Sequence, residues 1–370
     1  MAAVAGGAFA LLLVAGLLRE SRRGSDLPPP ISLPPGFTAD VFVAGLGPAR
    51  ALAVDPAGTL IVSIPSQGKV VALADRGAGQ AVRTVTVAEG LNLPYGLAFR
   101  HGDLYVAETG RILRFRYDAT TLVARDPAVV VADLPVGAHH WTRGIAFGPD
   151  GALYVSVGSS CDICREADRR RASIVRYKAD GSGERLFATG LRNPVGLAFH
   201  PRSGALWTTV NERDWRRGGA PPDYVTEVYP DGAYGWPDCF AERGMFVGDP
   251  ELQDRRDCQG LRLPTFEVPA HSAPLGLAFY FGTAFPPPYR ESLFVTLHGS
   301  RPELPPAGYK LVRVVFRGGR PVDIEDFATG WRRDDRVWGR PVDIVAGRDG
   351  ALYVSDDHGG RIVRIAFRAR

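Results

Sequence analysis

The sequence predicts an all-β chain folded as a six-bladed β-propeller. Three observations carry that expectation. The 370 residues include 44 glycines and 30 prolines without a collagen period, so many short elements must be joined by turns. Helical patterning past the N-terminus is scarce. One apolar unit, a strand, a Gly/Asp turn and a second strand, recurs six times.

The copies follow in order. The first runs from Arg50 to Val62, the second from Pro94 to Val106 and the third from Arg143 to Val155. The fourth spans Pro194 to Trp207, the fifth Pro274 to Val295 and the sixth Pro341 to Val354, with starts about 45 to 80 residues apart. Each alternates apolar and polar residues about its turn, as a hairpin does. A third strand follows most copies, as at Gly110–Phe115, Ser173–Tyr177 and Arg361–Ile365. Six such blades closed around an axis bury their inner edges. The long gap between the fourth and fifth copies carries Cys239 and Cys258, which places an elaborated, stapled loop between blades four and five. Long loops on a rigid scaffold are where function sits.

Residues 36–370 read as one propeller, preceded by a Pro-rich linker at 27–35 and an apolar segment within 1–26. The run Ala2–Leu18 has the length of a signal-peptide core, and Arg19, Arg22 and Arg23 follow it. No positive residue precedes that run, which is atypical of a signal peptide, and the segment is read as a signal peptide or an N-terminal membrane anchor. Composition agrees with a globular body: 45% hydrophobic, 23% charged, mean hydropathy −0.06. That excludes a mostly disordered chain and a multispanning membrane protein. The net charge of +4 is dispersed, and the densest basic run, Arg165–Arg171, is broken by Glu166 and Asp168. No nucleic-acid surface is expected, because such a face needs clustered charge.

The cysteines form two local pairs, Cys161 with Cys164 and Cys239 with Cys258. No histidine stands near either pair at zinc-ligand spacing. A redox Cys-x-x-Cys normally opens a helix, whereas this one follows Gly158-Ser159-Ser160 in a loop. Two loop-stapling disulfides in an oxidising compartment are therefore expected, and with them export to the periplasm or exterior.

Ligands of propellers sit at the axis, on loops that enter or leave the inner strands. Those loops carry His139-His140-Trp141, Arg192-Asn193, Asn211–Asp214, His298-Gly299-Ser300, Trp338-Gly339-Arg340 and Asp356-Asp357. Plainer readings stand beside them. His101 and His200 are expected to be solvated or structural. Arg192-Asn193-Pro194 could be a turn, and Asp356-Asp357 could satisfy a sharp bend ending at Gly359-Gly360.

From about Gly36 onward the chain resembles the soluble PQQ-dependent glucose, aldose and sorbosone dehydrogenases, nearest the sorbosone-like branch. The resemblance rests on Gly190–Phe199, Tyr234-Gly-Trp-Pro237, His271–Phe279, Leu297–Ser300, and His139-His140 followed by Phe147–Cys161. It implies PQQ and Ca²⁺ as cofactors, and His140 as the base that takes a substrate hydroxyl proton while hydride passes to the quinone. An imidazole suits that task near neutral pH. His139, Asn92 and Trp338 would contact substrate. Arg192, Asn193, His298, Arg340 and Asp357 would bind the cofactor, and the backbone carbonyls of Glu212 and Arg213 would hold calcium.

The pattern also departs from the family. His298 stands where the glucose enzymes have lysine, Val342 replaces a second arginine, and of an acidic pair at a second calcium only Asp223 remains, followed by Tyr224. No Cys-x-x-Cys-His haem site occurs, so electrons would leave to a separate quinone or cytochrome. The implied activity is oxidation of a sugar or a hydrated aldehyde. Two other classes stay open. One is a metal-dependent lactonase using Glu212 and Asp357; the other is a non-catalytic carbohydrate- or protein-binding propeller using Trp141, Trp236 and Trp338.

Overall fold

The computed structural model describes residues 30–368, apart from 76–80, 138, 215–218, 253 and 255. The segment expected as signal peptide or anchor lies outside the described residues. Six antiparallel blades are present, one per repeat copy. The inner strands are Leu52–Val54, Leu97–Arg100, Ile145–Phe147, Pro194–Phe199, Pro274–Tyr280 and Pro341–Ala346. Two short 3₁₀ turns, Pro65–Gln67 and Pro287–Tyr289, are the only helices among the described residues. None is long and apolar enough to cross a membrane.

The hairpin turns explain why these residues fold as they do. In blades one, three and six the turn aspartate accepts a backbone N–H: Thr59 to Asp55 at 2.7 Å, Ala152 to Asp150 at 3.1 Å and Ala351 to Asp349 at 3.1 Å. Tyr117, Tyr154 and Tyr353 donate their hydroxyls to the same three carboxylates. Apolar faces of neighbouring blades then meet in six clusters, one in each seam.

A ring of hydroxyls joins the blades near the axis. In blade three the Gly144 N–H donates to Ser156 Oγ, and that hydroxyl donates to the Val195 carbonyl of blade four. Thr209 repeats the bridge from Gly196 to Leu275, Thr296 from Gly276 to Val342, and Ser355 from Asp343 to Arg50. Blade two has Ala107 at this place, and Gly96 reaches the Arg143 carbonyl directly at 3.1 Å. Such close approach needs glycine: a Cβ at Gly144 would lie 2.0 Å from the Val195 oxygen.

The strand Phe37–Ala44 completes blade six by pairing with Arg361–Phe367, so the ring is closed by both ends of the chain. The described part of the expected linker packs onto the propeller. Ser32 and Thr329 exchange backbone hydrogen bonds, and Ile31 and Leu33 lie against the seam of blades five and six. The insertion anticipated between blades four and five falls inside blade four. Its third strand, Asp223–Val228, and its outermost strand, Phe266–Val268, are separated by the hairpin Cys239–Glu242 and Met245–Gly248. The repeat unit covers only the inner strands, so nothing in the repeat marks where blade four ends. Within the insertion, Gly232–Ala233 runs parallel to the outer strand of blade three. Both expected disulfides are present, Cys161–Cys164 and Cys239–Cys258.

Candidate active site

All the loops singled out in the sequence emerge at one end of the axis. Their floor is set by the residues that precede the hydroxyl-bonded positions of the inner strands. Tyr95, Val195, Leu275 and Val342 pack there with Trp141, while Arg50 and Arg143 take the two remaining places. Val342, found where a second arginine was expected, is thus an apolar floor residue.

His140 is held by its Nδ1 atom, 2.9 Å from the Ser159 carbonyl oxygen and 3.1 Å from Ser159 Oγ. A carbonyl can only accept, so Nδ1 carries the proton and Nε2 presents a lone pair. Burial pushes the imidazole pKa down to about 3, with the Arg192 charge adding to the effect. The ring is therefore neutral at any ordinary pH. Its backbone is braced from below, where the buried Arg143 guanidinium donates to the carbonyls of His140, Thr142 and Pro135. Gly158 separates His140 from Asn193; a Cβ there would lie 2.5 Å from His140 Cβ and 2.4 Å from Asn193 Oδ1. That amide oxygen is buried without a hydrogen-bond partner. His139 is exposed at the neighbouring position.

Arg192 is almost wholly buried and spends its nitrogens on protein acceptors. It pairs with Asp162 at 2.8 Å, donates to the Asp162 carbonyl at 3.1 Å, and reaches the carbonyls of Glu212 at 2.7 Å and Asn211 at 3.2 Å. One of the two carbonyls assigned to calcium is therefore already bound to a guanidinium. The Arg213 side chain pairs with buried Asp249 at 2.6 Å, under the ring of Phe240. Beside them, burial pushes the carboxyl of Glu212 up to about 7 despite Arg192, and that of Asp223 likewise to about 7. The two buried carboxyls stand next to backbone oxygens, the donor type a divalent cation takes, with the Arg192 and Arg213 charges beside Glu212 and both Asp223 oxygens accepting backbone N–H groups, from Glu212 and Ala273 at 2.8 Å each.

A second group forms across blades five, six and one. His298 Nε2 lies 2.9 Å from Asp357 Oδ1, and Arg50 Nη1 lies 2.5 Å from Asp357 Oδ2. Burial pushes the imidazole down to about 4. Burial also opposes ionisation of Asp357, but the His298 hydrogen bond and the Arg50 charge outweigh it and hold the carboxyl well below the usual range. Arg50 stacks near Tyr95 and Trp141, 5.6 and 5.9 Å from their ring centres, and its Nε is buried without a partner. Arg340 donates to the carbonyls of His298, Gly299 and Ser300 and lies over the Tyr309 ring. Among the described residues no carboxylate pairs with it, so its charge stands uncompensated beside the site.

The Arg340 guanidinium, which no carboxylate pairs among the described residues, fits an anionic ligand, and the partnerless Asn193 Oδ1 fits a hydrogen-bond donor. Other expected residues sit differently. Asn92 is exposed, and its N–H bonds to Glu108. One face of Trp338 is covered by Arg361, 3.7 Å from the ring centre. Trp236 is buried and donates Nε1–H to the Asp162 carbonyl at 3.1 Å, which removes it as a sugar platform. Asp356 fulfils the plain reading, accepting the N–H groups of Arg340, His358 and Gly359, whereas Asp357 belongs to the site. His200 is structural, as expected, accepting the Ser203 N–H at its ring.

A family profile described as TrAA12-like matches residues 31–367. The chain belongs to the TrAA12-like family. A protein of Borreliella burgdorferi, named only as uncharacterized, is 26% identical over 357 residues and aligns over 91% of both chains. The pyrroloquinoline quinone-dependent pyranose dehydrogenase of Coprinopsis cinerea is 25% identical over 395 residues, covering 88% of this chain and 53% of that protein. The chain thus spans about half the length of that relative. The solved holo PQQ domain of the Coprinopsis pyranose dehydrogenase superposes with a TM-score of 0.80 at 22% identity, covering 92% of this chain and 98% of the domain. The PQQ-bound aldose sugar dehydrogenase of Streptomyces coelicolor gives 0.66 at 22% identity, over 91% and 100%. These likenesses agree with the six-bladed fold and with the family the motifs resemble.

Within this TrAA12-like site, sequence reasoning missed Arg50, Ser159 and Asp162. Arg50 begins the first repeat copy and read as scaffold; the signal was a charged residue where four of the other five copies carry an apolar or aromatic one, Arg143 being the exception. Ser159 and Asp162 flank and occupy the Cys-x-x-Cys loop, where attention went to the sulfurs.

Proposed function

We propose that the chain oxidises a sugar, or a hydrated aldehyde, with PQQ as acceptor and calcium beside it. The observation that carries the reading is the fixed tautomer of His140: Ser159 secures the proton on Nδ1, which leaves Nε2 free to accept one. Bound PQQ would supply a two-electron ortho-quinone that accepts the substrate hydride, and calcium would supply a Lewis acid. The remaining work falls to the chain. His140 takes the hydroxyl proton at Nε2. Arg340 and Arg50 offer cationic partners for an acidic cofactor, and Asn193 accepts a hydrogen bond beside the base. Glu212 and Arg213 would hold the cation through backbone oxygens, with the buried Glu212 and Asp223 carboxyls supplying countercharge. Trp141 and the apolar floor exclude water from below.

Electrons would pass on to a separate quinone or cytochrome. The two disulfides suit an exported protein, working in the periplasm or anchored facing it. The test is an absorbance titration of apoprotein with PQQ and calcium, followed by a panel of sugars and aldehydes. Saturable binding and substrate-dependent loss of the quinone band are expected. Absent binding, with the β fold intact by circular dichroism, would overturn the reading.

A further inference from the structure

The loop Cys161-Asp162-Ile163-Cys164 closes on itself through a disulfide between residues only 3 apart in sequence. Loop-closure stabilisation grows with the length of chain enclosed, so so short a ring does little for global stability. The second disulfide, across a separation of 19, is the one suited to that. What the short ring does is fix Asp162. This buried carboxylate pairs with Arg192 Nη2 at 2.8 Å and accepts the Asp214 N–H at 2.9 Å. Its backbone carbonyl accepts both Arg192 Nε and Trp236 Nε1 at 3.1 Å. The first residue of the ring is tied to the other half of the site, because the Cys161 carbonyl accepts Ser159 Oγ–H at 2.6 Å and Ser159 holds His140.

We propose that Asp162, locked by the Cys161–Cys164 closure, is the positioning residue that sets Arg192, while the Cys161 carbonyl of the same closed turn sets His140 through Ser159. This rests on the dehydrogenase reading above. Arg192 in turn sets the Asn211 and Glu212 carbonyls, so one closed turn determines where both the base and the oxygens beside it stand. No proton or electron passes through Asp162; it acts by placement.

The experiment compares full-length wild type with Asp162→Asn, Cys161→Ser/Cys164→Ser and Cys239→Ser/Cys258→Ser. Turnover, KM for the sugar, quinone binding by absorbance and thermal melting are read for each. Asp162→Asn keeps size and an acceptor oxygen but loses the charge that pairs with Arg192. It is expected to lower kcat about tenfold or more while KM changes less than about twofold, as a misplaced catalytic group does. Opening the short ring should lower kcat in the same way with little change in Tm. Opening the long ring should lower Tm and leave kcat unchanged. Asp162→Glu should recover part of the Asn defect. Wild-type kcat in both Asp162→Asn and the short-ring variant, or a loss confined to Tm in both, would overturn the inference. If Asp162→Asn does not fold, the short-ring variant decides. Wild type that binds no quinone overturns the dehydrogenase reading, and this inference with it; active wild type with indifferent variants overturns this inference alone.

Discussion

The wholly buried guanidinium of Arg143 donates to the carbonyl oxygen of His140 at 2.9 Å. Arg143 stands two residues before the inner strand of blade three and has no carboxylate partner among the described residues. Its side chain is spent on the carbonyls of the 135–142 loop, and burial, with Arg171 nearby, pushes its pKa down to about 9. The loop that bears the base is thereby fastened to the scaffold.

His140→Ala should lower kcat by about 10²–10⁴-fold, the usual yield of a general base, while quinone affinity stays within a few-fold of wild type. Steady-state kinetics beside the absorbance titration separates the two quantities.

Gly158→Ala tests the contact between the base and Asn193. The added methyl meets both side chains well inside van der Waals distance, so at least one must move. A fall in kcat of about tenfold or more, in a protein with unchanged circular dichroism, is expected.

Arg340→Gln removes the charge that faces the site without a carboxylate partner. Quinone affinity should fall about 10- to 100-fold, and the remaining binding should depend less on salt than that of wild type. Titrations at two ionic strengths measure both effects.

His298 should contribute a loss of stability in acid. Its folded pKa, about 4, lies below the value near 6.5 of an unfolded histidine, so between those limits the unfolded chain holds the extra proton. The His298 contribution to stability therefore falls as pH drops from about 6.5 to 4, His140 acting with it and the raised carboxyls of Glu212 and Asp223 against it, and Asp357 adds a loss at lower pH still. His298→Asn should flatten the first limb in thermal melts across that range.

Thr209→Val leaves the Gly196 N–H and the Leu275 carbonyl without their bridging hydroxyl. A loss of about 1–3 kcal/mol is expected, most of it restored in Thr209→Ser. Denaturant titration gives the difference.

Much of this architecture was legible because the six-fold repeat is written in the inner strands, where packing at the axis allows little variation. The loops that follow those strands were legible for the same reason, and His140, Asn193, His298, Arg340 and Asp357 do gather at one end. What escaped was what repeats cannot encode. The border of blade four lies in an insertion without the motif. Arg50 reaches Asp357 only because the ring closes, a contact across 307 residues. Arg192 looked like a cofactor ligand by its neighbours, yet its nitrogens are committed to Asp162 and backbone oxygens. The hydroxyl ring was hidden in plain strand positions, since Ser156, Thr209, Thr296 and Ser355 carry no signal in sequence beyond β propensity.

The pairing of Phe37–Ala44 with Arg361–Phe367 bears on how the protein comes into being. The ribosome delivers the outer strand of blade six before the other five blades and its three partners after them. Until the final strand emerges, the opening segment has no edge to join and the seam between blades six and one is missing. Asp357 and Arg50 stand on opposite sides of that seam. A nascent chain can stack five blades and still lack the charge pair at its centre, so the site is born only when blade six has been made.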